Sequence, residues 1–209
     1  MSFLFTNEWF VFKNVIDKKT CDRIKNLGRA KWTDSTVESA TTITEEERLT
    51  GRILDYENNT KVRMSDVCWT NEQEIYDLIW PLMLRANKEA GWNLDISAVE
   101  PIQITRYQKG GFYTWHKDGS SDSLSAYDLP ENSFLHNNVR KISMSLILND
   151  SFDGGDLEFA SGHQLDDYSH TLKTGDMIFF TSGMEHRVTP VTKGVRYSLV
   201  AWFVGPPIR

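Results

Sequence analysis

The stretch FYTWHKD, residues 112 to 118, ends on a histidine two places before an aspartate. Side chains alternate along a strand, so His116 and Asp118 would face the same way, about 6.5–7 Å apart, and both could reach one divalent ion. Five histidines and sixteen aspartates stand in the 209 residues, and such a spacing arises by chance often enough that it decides nothing alone. Two ligands also grip a divalent ion weakly, so a metal site needs a third from elsewhere in the chain. His136 falls in a long connection without periodic pattern and His163 in the turn SGHQ, both poor positions for a ligand, while His170 in DYSHTL reads as a half-exposed edge-strand residue. His186 follows the apolar run DMIFF by a short turn and opens another β-rich run, and a strand entrance suits a ligand.

Two imidazoles and one carboxylate on one side of an ion, with the other positions open, are the facial triad of non-haem Fe(II) oxygenases. Imidazole binds Fe(II) without the tight grip of thiolate, one carboxylate leaves the centre with a net single positive charge, and the open positions admit a chelating cosubstrate and dioxygen. A zinc hydrolase usually keeps one position for water instead. Ten residues after His186 stands Arg196, in RYSLVAWFV, where Arg196, Ser198, Val200 and Trp202 share one face. A guanidinium aimed into a barrel is costly unless an anion meets it, and a carboxylate meets it with two parallel charge-assisted hydrogen bonds. That face invites a bound acid; the alternative is that Arg196 caps the rim or pairs with a protein carboxylate.

The elements that must hold these residues are mostly strands. From about residue 96 the runs IQITRY, FYTWH, KISMSLIL, DLEF, SHTL, DMIFF and RYSLVAWFV are short, β-rich and punctuated by Gly, Asn, Asp or Ser, which predicts a sandwich or barrel. Two helices precede them. Asp17 caps one in which Cys21, Ile24 and Leu27 share a face, with Gly28 as its stop. Asn71 with Glu74 forms a capping box for the other, in which Ile75, Leu78, Leu82, Ala86 and Ala90 recur at helical spacing, Pro81 introduces a kink and Gly91 closes the run. KVRMSDVCW, 61 to 69, reads as one strand, and residues 32 to 60 as a solvated connection. The connection 119 to 139 is long enough to be a lid beside His116 and Asp118.

The chain is 40% hydrophobic, 12% aromatic and 25% charged, an ordinary soluble composition, and its formal charge of −6 argues against broad phosphate-backbone binding. Cys21 and Cys68 stand in no C-x-x-C pattern and read as small buried hydrophobes. The opening MSFLFTNEWF lacks the features of a secretory signal and no window is apolar enough to span a membrane, so the expected location is the cytoplasm. A single domain, 1–209, is expected, with residues 1–95 as a helical and strand support and 96–209 as a jelly-roll core.

RYQKGGFYTWHKD, RKISMSLILND, GGDLEF, GDMIFF and HRVTPVTKGVRYSLVAW stand in this order over about residues 94 to 205, and as an ordered set they resemble the 2-oxoglutarate and Fe(II)-dependent oxygenases, specifically their prolyl 4-hydroxylase-like branch. The resemblance implies a mainly β fold with flanking helices: a double-stranded β-helix (jelly-roll, cupin-like) core, with the N-terminal helices packed on one sheet. It implies Fe(II) held by His116, Asp118 and His186, and 2-oxoglutarate anchored at its far carboxylate by Arg196. Tyr107 and Tyr113 match tyrosines of the cosubstrate and substrate pocket, Trp202 matches a pocket tryptophan, and Arg140 an arginine linked with substrate binding; for the aromatic residues plain core packing is the alternative. Ile147 stands where several relatives carry a cosubstrate-binding tyrosine, so Ser145 or Tyr107 would assist Arg196. The implied reaction uses O2 and 2-oxoglutarate to hydroxylate a C–H bond, with ascorbate as a reductant and a prolyl residue of a peptide or protein as the leading substrate. Other amino-acid or small-molecule substrates remain open. Hydroxylation of nucleic acid is disfavoured, because relatives of that kind carry a second arginine where Trp202 stands, and a jelly-roll module that binds metal without catalysis is the reading from another class.

Overall fold

The computed structural model describes residues 7–28, 32–34, 37–38, 61–119, 126–160 and 168–207. In chain order the elements are β1 (Trp9–Phe12), α1 (Lys18–Leu27), β2 (Thr33–Asp34), β3 (Val37–Glu38), β4 (Lys61–Met64), β5 (Asp66–Thr70), α2 (Gln73–Glu89), β6 (Ala98–Val99), β7 (Ile102–Tyr107), β8 (Phe112–His116), β9 (Val139–Ile147), β10 (Phe152–Gly154), β11 (Leu157–Phe159), β12 (Tyr168–His170), β13 (Met177–Thr181), β14 (His186–Val188), β15 (Val191–Gly194) and β16 (Arg196–Gly205). Among the described residues the strands form a main sheet in the order β1-β13-β9-β16-β7-β5-β2, with β6 on β16, and a smaller sheet in the order β12-β11-β14-β8-β4-β3. A short ribbon pairs β10 with β15. The expected double-stranded β-helix is the observed architecture, with the helices on the main sheet.

Period-two alternation along the main sheet separates two environments. Ile104, Ile142, Leu199 and Phe203 point outward, fully buried, into one apolar cluster with Cys21 and Ile24 of α1 and with Ile75, Ile79, Met83 and Ala86 of α2. Each Ile, Leu, Met or Phe side chain of this set contributes about 1.5–3 kcal/mol by leaving water. On the opposite face of the same strands Gln103, Thr105, Ser145 and Ser198 are also buried but turn toward the smaller sheet. Phe159, Ile178, Phe180, Val188 and Val191 close part of the space between the sheets with a second apolar cluster.

The first helix forms as its sequence predicts: Asp17 accepts a hydrogen bond from the Thr20 backbone N–H at 2.9 Å, and Gly28 ends it. The second differs at its start. Glu72 occupies the N-cap and makes no side-chain cap bond, whereas the Asn71 side chain accepts a hydrogen bond from the Tyr76 hydroxyl. Its fully buried stripe is Ile75, Ile79, Met83 and Ala86, with Leu78 and Leu82 at the margin of the same cluster, and the helix continues through Pro81. KVRMSDVCW is two strands rather than one: β4 pairs with β8 in the smaller sheet and β5 with β7 in the main sheet, so the chain changes sheets at Ser65. Cys21 and Cys68 are both buried, as expected. Most of 32–60 lies outside the described residues, as do His163 and part of the expected lid. Within that lid, residues 126–138 are turns tied by a bridge between Tyr127 and His136.

Candidate metal centre and its cavity

His116 is the last residue of β8 and His186 the first of β14, and the two are direct cross-strand partners in the smaller sheet. Their rings lie 4.2 Å apart between centroids. Asp118 stands just past the end of β8, not on it, so the turn after the strand rather than strand alternation brings its carboxylate to the imidazoles. His116 Nε2 is 3.7 Å from Asp118 Oδ1 and His186 Nε2 is 3.6 Å from Oδ2. The three ligand atoms lie within 4.8 Å of one another. His136 takes no part: its Nδ1 accepts a hydrogen bond from the Leu129 backbone N–H. His170 stands on β12, paired with Leu157 of β11.

Backbone carbonyls set the tautomers. His116 Nδ1 lies 2.8 Å from the Thr114 carbonyl oxygen and His186 Nδ1 3.0 Å from that of Met184. A carbonyl only accepts, so each Nδ1 carries a proton and each Nε2, the nitrogen left for a metal, faces Asp118. Burial and the neighbouring His186 hold the His116 imidazole down to about 3, so it is neutral near pH 7. Burial pushes the Asp118 carboxyl up, but His186 and His116 outweigh it and leave it below the usual range, ionised. The Tyr113 ring stacks on His116 at 3.5 Å and fixes its plane.

These groups open on a cavity of about 290 Å³ between the sheets. Tyr107, Tyr113, Arg140, Ser145, Arg196 and Trp202, all singled out in the sequence, line it together with the triad. Arg196 is 2% exposed, pairs with no carboxylate among the described residues, and has one side-chain bond, Nη1 to Ser198 Oγ at 2.9 Å. Burial works against its charge. Register sets Tyr107 directly beside it, the guanidinium 5.5 Å from the ring centroid. Among the described residues the buried Arg196 Nε has no hydrogen-bond partner, whereas the Trp202 indole, too poorly aligned for a strict hydrogen bond, lies against Asp118 and helps hold its carboxyl down. An orphaned buried donor costs about 1–3 kcal/mol, so the Arg196 guanidinium marks a place built for a polar ligand. Ile147, where relatives carry a tyrosine, is buried among apolar side chains.

Arg140 occupies the cavity wall but is engaged. Its Nε and Nη2 donate to Glu100 at 2.7 and 2.6 Å, and its guanidinium lies 4.1 Å over the Trp202 ring. The Tyr127 hydroxyl also donates to Glu100, tying the 126–138 turns to the same wall. Glu100 and Tyr127 carry no sequence motif and were not foreseen. Nor was Arg63 of β4, which also lines the cavity. Gly155, in the GGDLEF run, has φ +66°, and a Cβ there would lie 2.9 Å from Arg196 Cδ, so the glycine makes room for the guanidinium.

Comparison with known proteins agrees with this geometry. Residues 102–204 match the family model of the 2OG-Fe(II) oxygenase superfamily. A PKHD-type hydroxylase of Idiomarina loihiensis is 38% identical over 109 residues, 50% of this chain and 42% of that protein. One from Xylella fastidiosa is 34% identical over 104 residues, 49% of this chain and 43% of that protein. The chain thus spans less than half the length of these curated relatives. Among solved structures, the viral collagen prolyl hydroxylase of Paramecium bursaria Chlorella virus-1, in its 2OG complex, superposes with a TM-score of 0.63 at 18% identity, covering 95% of this chain and 97% of that one. A Pseudomonas putida prolyl-4-hydroxylase gives 0.61 at 18% identity, with 95% and 92% covered. These likenesses extend the shared fold to nearly the whole chain. No helix among the described residues is long and apolar enough to cross a membrane. Over β7 to β16 the family model and the convergence of two imidazoles and a carboxylate on one point agree, and both liken this part of the chain to the 2OG-Fe(II) oxygenase superfamily.

Proposed function

We propose that the protein is a 2-oxoglutarate- and Fe(II)-dependent dioxygenase that hydroxylates a C–H bond, with a prolyl residue of a peptide or protein as the leading substrate. The observation that carries this reading is the convergence of His116, Asp118 and His186 in one cavity with a buried arginine that forms no salt bridge among the described residues. Those three would hold Fe(II) through Nε2, a carboxylate oxygen and Nε2. When bound, iron and 2-oxoglutarate supply the redox chemistry: O2 is consumed, 2-oxoglutarate becomes succinate and CO2, and one oxygen atom enters the substrate C–H bond.

This chain's own share is positioning and exclusion of water. Arg196 meets the far carboxylate of 2-oxoglutarate, and Ser145, Ser198 and Tyr107 line the cavity around it. Leu157, Phe180 and Val188 give this space a dry wall. Trp202 and Arg140, stacked on each other, form the wall along which substrate lies, and the Glu100 carboxylate fixes the guanidinium. Residues 1–95 support this core within one domain. The prolyl preference is supported by two kinds of neighbour: the structures named prolyl hydroxylases, and one from Trichoplax adhaerens solved with a hypoxia-inducible factor peptide, at TM-score 0.63 and 17% identity.

The test is an Fe(II)-dependent assay of 2-oxoglutarate conversion to succinate, with ascorbate as reductant, against a proline-containing peptide library read by mass spectrometry for a gain of one oxygen. Succinate formation with hydroxylation at proline is the expected result. Hydroxylation of another residue would replace the substrate assignment, and no 2-oxoglutarate turnover under any condition would overturn the activity.

A further inference from the structure

Seven arginines lie among the described residues, and five pair with carboxylates: Arg23 with Glu74, Arg85 with Glu89, Arg106 with Asp66, Arg140 with Glu100 and Arg187 with Glu158. The two without one among the described residues, Arg63 and Arg196, line the same cavity. Arg196 is already matched to the cosubstrate. Arg63 is half-buried, and both of its side-chain hydrogen bonds go to neutral oxygens: Nε to Ser65 Oγ at 2.8 Å and Nη2 to Gln103 Oε1 at 3.1 Å. Gln103 is itself buried and receives a further hydrogen bond from Thr105 Oγ1. The Arg63 guanidinium lies 4.8 Å over the Tyr113 ring, and that ring stacks on His116, so the charge sits one aromatic ring away from a candidate metal ligand.

We propose that Arg63 anchors a carboxylate of the substrate, so that the preferred substrate is an acid whose carboxylate lies close to the carbon that is oxidised. This deepens the oxygenase reading above and rests on it. Charge in the cavity supports it. Of the groups lining it, Asp118 is the only carboxylate among the described residues and stands between two imidazoles, while Arg63, Lys117, Arg140 and Arg196 are cations. Glu100 neutralises Arg140, and 2-oxoglutarate would neutralise Arg196. Arg63 meets no carboxylate among the described residues and is fixed in direction by two neutral acceptors and an aromatic face. Such a preorganised guanidinium binds a carboxylate with little loss of side-chain freedom. Trp69, 49% exposed and 6.1 Å from Trp202 between ring centroids, offers an apolar surface at the same cavity for the substrate's ring.

The carboxylate could belong to an acidic side chain next to the target proline, to a peptide C-terminus or to a free amino acid, and paired probes distinguish them. Binding is measured by tryptophan fluorescence with Mn(II) and 2-oxoglutarate present and O2 excluded, so that no turnover is needed. The pairs are proline-centred peptides with Glu or Gln beside the proline, peptides ending on proline as acid or amide, and free L-proline or L-prolinamide. The acid member of at least one pair is expected to bind about tenfold tighter or more, the scale of a charge-assisted hydrogen bond. Arg63→Gln should bring that ratio toward one, and Arg63→Lys, which keeps the charge, should retain part of it. Equal binding of acid and amide in every pair, a ratio that survives in Arg63→Gln, or an Arg63→Gln loss that falls on 2-oxoglutarate alone would each overturn the anchor. Turnover of 2-oxoglutarate by the unaltered protein is followed in parallel: its absence overturns the oxygenase reading, and its presence beside any of those results overturns the anchor alone.

Discussion

Along β7, β9 and β16, neighbouring residues belong to two regions that share a backbone and little else. On the outer face Ile104, Ile142, Leu199 and Phe203 join the helices in one apolar cluster. On the inner face, one residue along, Gln103, Thr105, Ser145, Arg196 and Ser198 are almost as deeply buried, yet the set is polar and includes a guanidinium without a counter-ion among the described residues. Burial alone therefore does not separate core from site. What separates them is whether the buried groups satisfy one another, and the inner face leaves Arg196 Nε without a partner among the described residues.

The largest effect should come from the outer face. Phe203→Ala removes a fully buried ring and should cost about 3–5 kcal/mol in urea unfolding, while the folded fraction keeps its affinity for 2-oxoglutarate. A large loss of affinity in the folded fraction would mean that the two faces are not independent. Arg196→Met is the mirror experiment. It should weaken 2-oxoglutarate binding by about 1.5–3 kcal/mol, the worth of a hydrogen bond to a charged group, in calorimetry with Mn(II). The ligand-free protein should melt at an unchanged or higher temperature, because a buried unpaired charge has been replaced by an apolar chain. Destabilisation instead would show that Arg196 is part of the core.

Gly155→Ala joins the two regions. Its positive φ should cost about 1–2 kcal/mol, and the new methyl must displace Arg196 Cδ, so 2-oxoglutarate affinity should fall as well, by less than in Arg196→Met. Stability lost with affinity intact would separate the turn from the guanidinium. Smallest is the expected response of Cys21 on α1, whose thiol burial pushes up to about 11. It should resist iodoacetamide at pH 8 in the native protein and react once unfolded.

How much of this was legible depends on the range of the interaction. Asp17 caps α1 through a residue three places away, and RYSLVAWFV alternates visibly, so the first helix and the Arg196 face could be read from spacing. Asn71 shows the limit of local signals: its side chain serves the Tyr76 hydroxyl instead of a helix cap. KVRMSDVCW has one continuous β pattern, and nothing in that pattern shows that Val67 and Met64 lie in different sheets. The metal triad needed two distant segments, and the ordered motifs supplied what spacing could not. Glu100, forty residues from Arg140, has no motif at all; its role follows from a contact that only the fold creates. Arg63 was hidden for the same reason, because its lack of a carboxylate partner among the described residues stands out only beside the five arginines that have one.

Anaerobic equilibrium dialysis with Fe(II) tests the central claim most directly, comparing the unaltered protein with His116→Ala, Asp118→Ala and His186→Ala under matched circular dichroism. A single ferrous ion per chain in the unaltered protein, lost in each variant, is the predicted result. Iron retained by folded Asp118→Ala and His186→Ala, or never taken up by the unaltered protein, would contradict it.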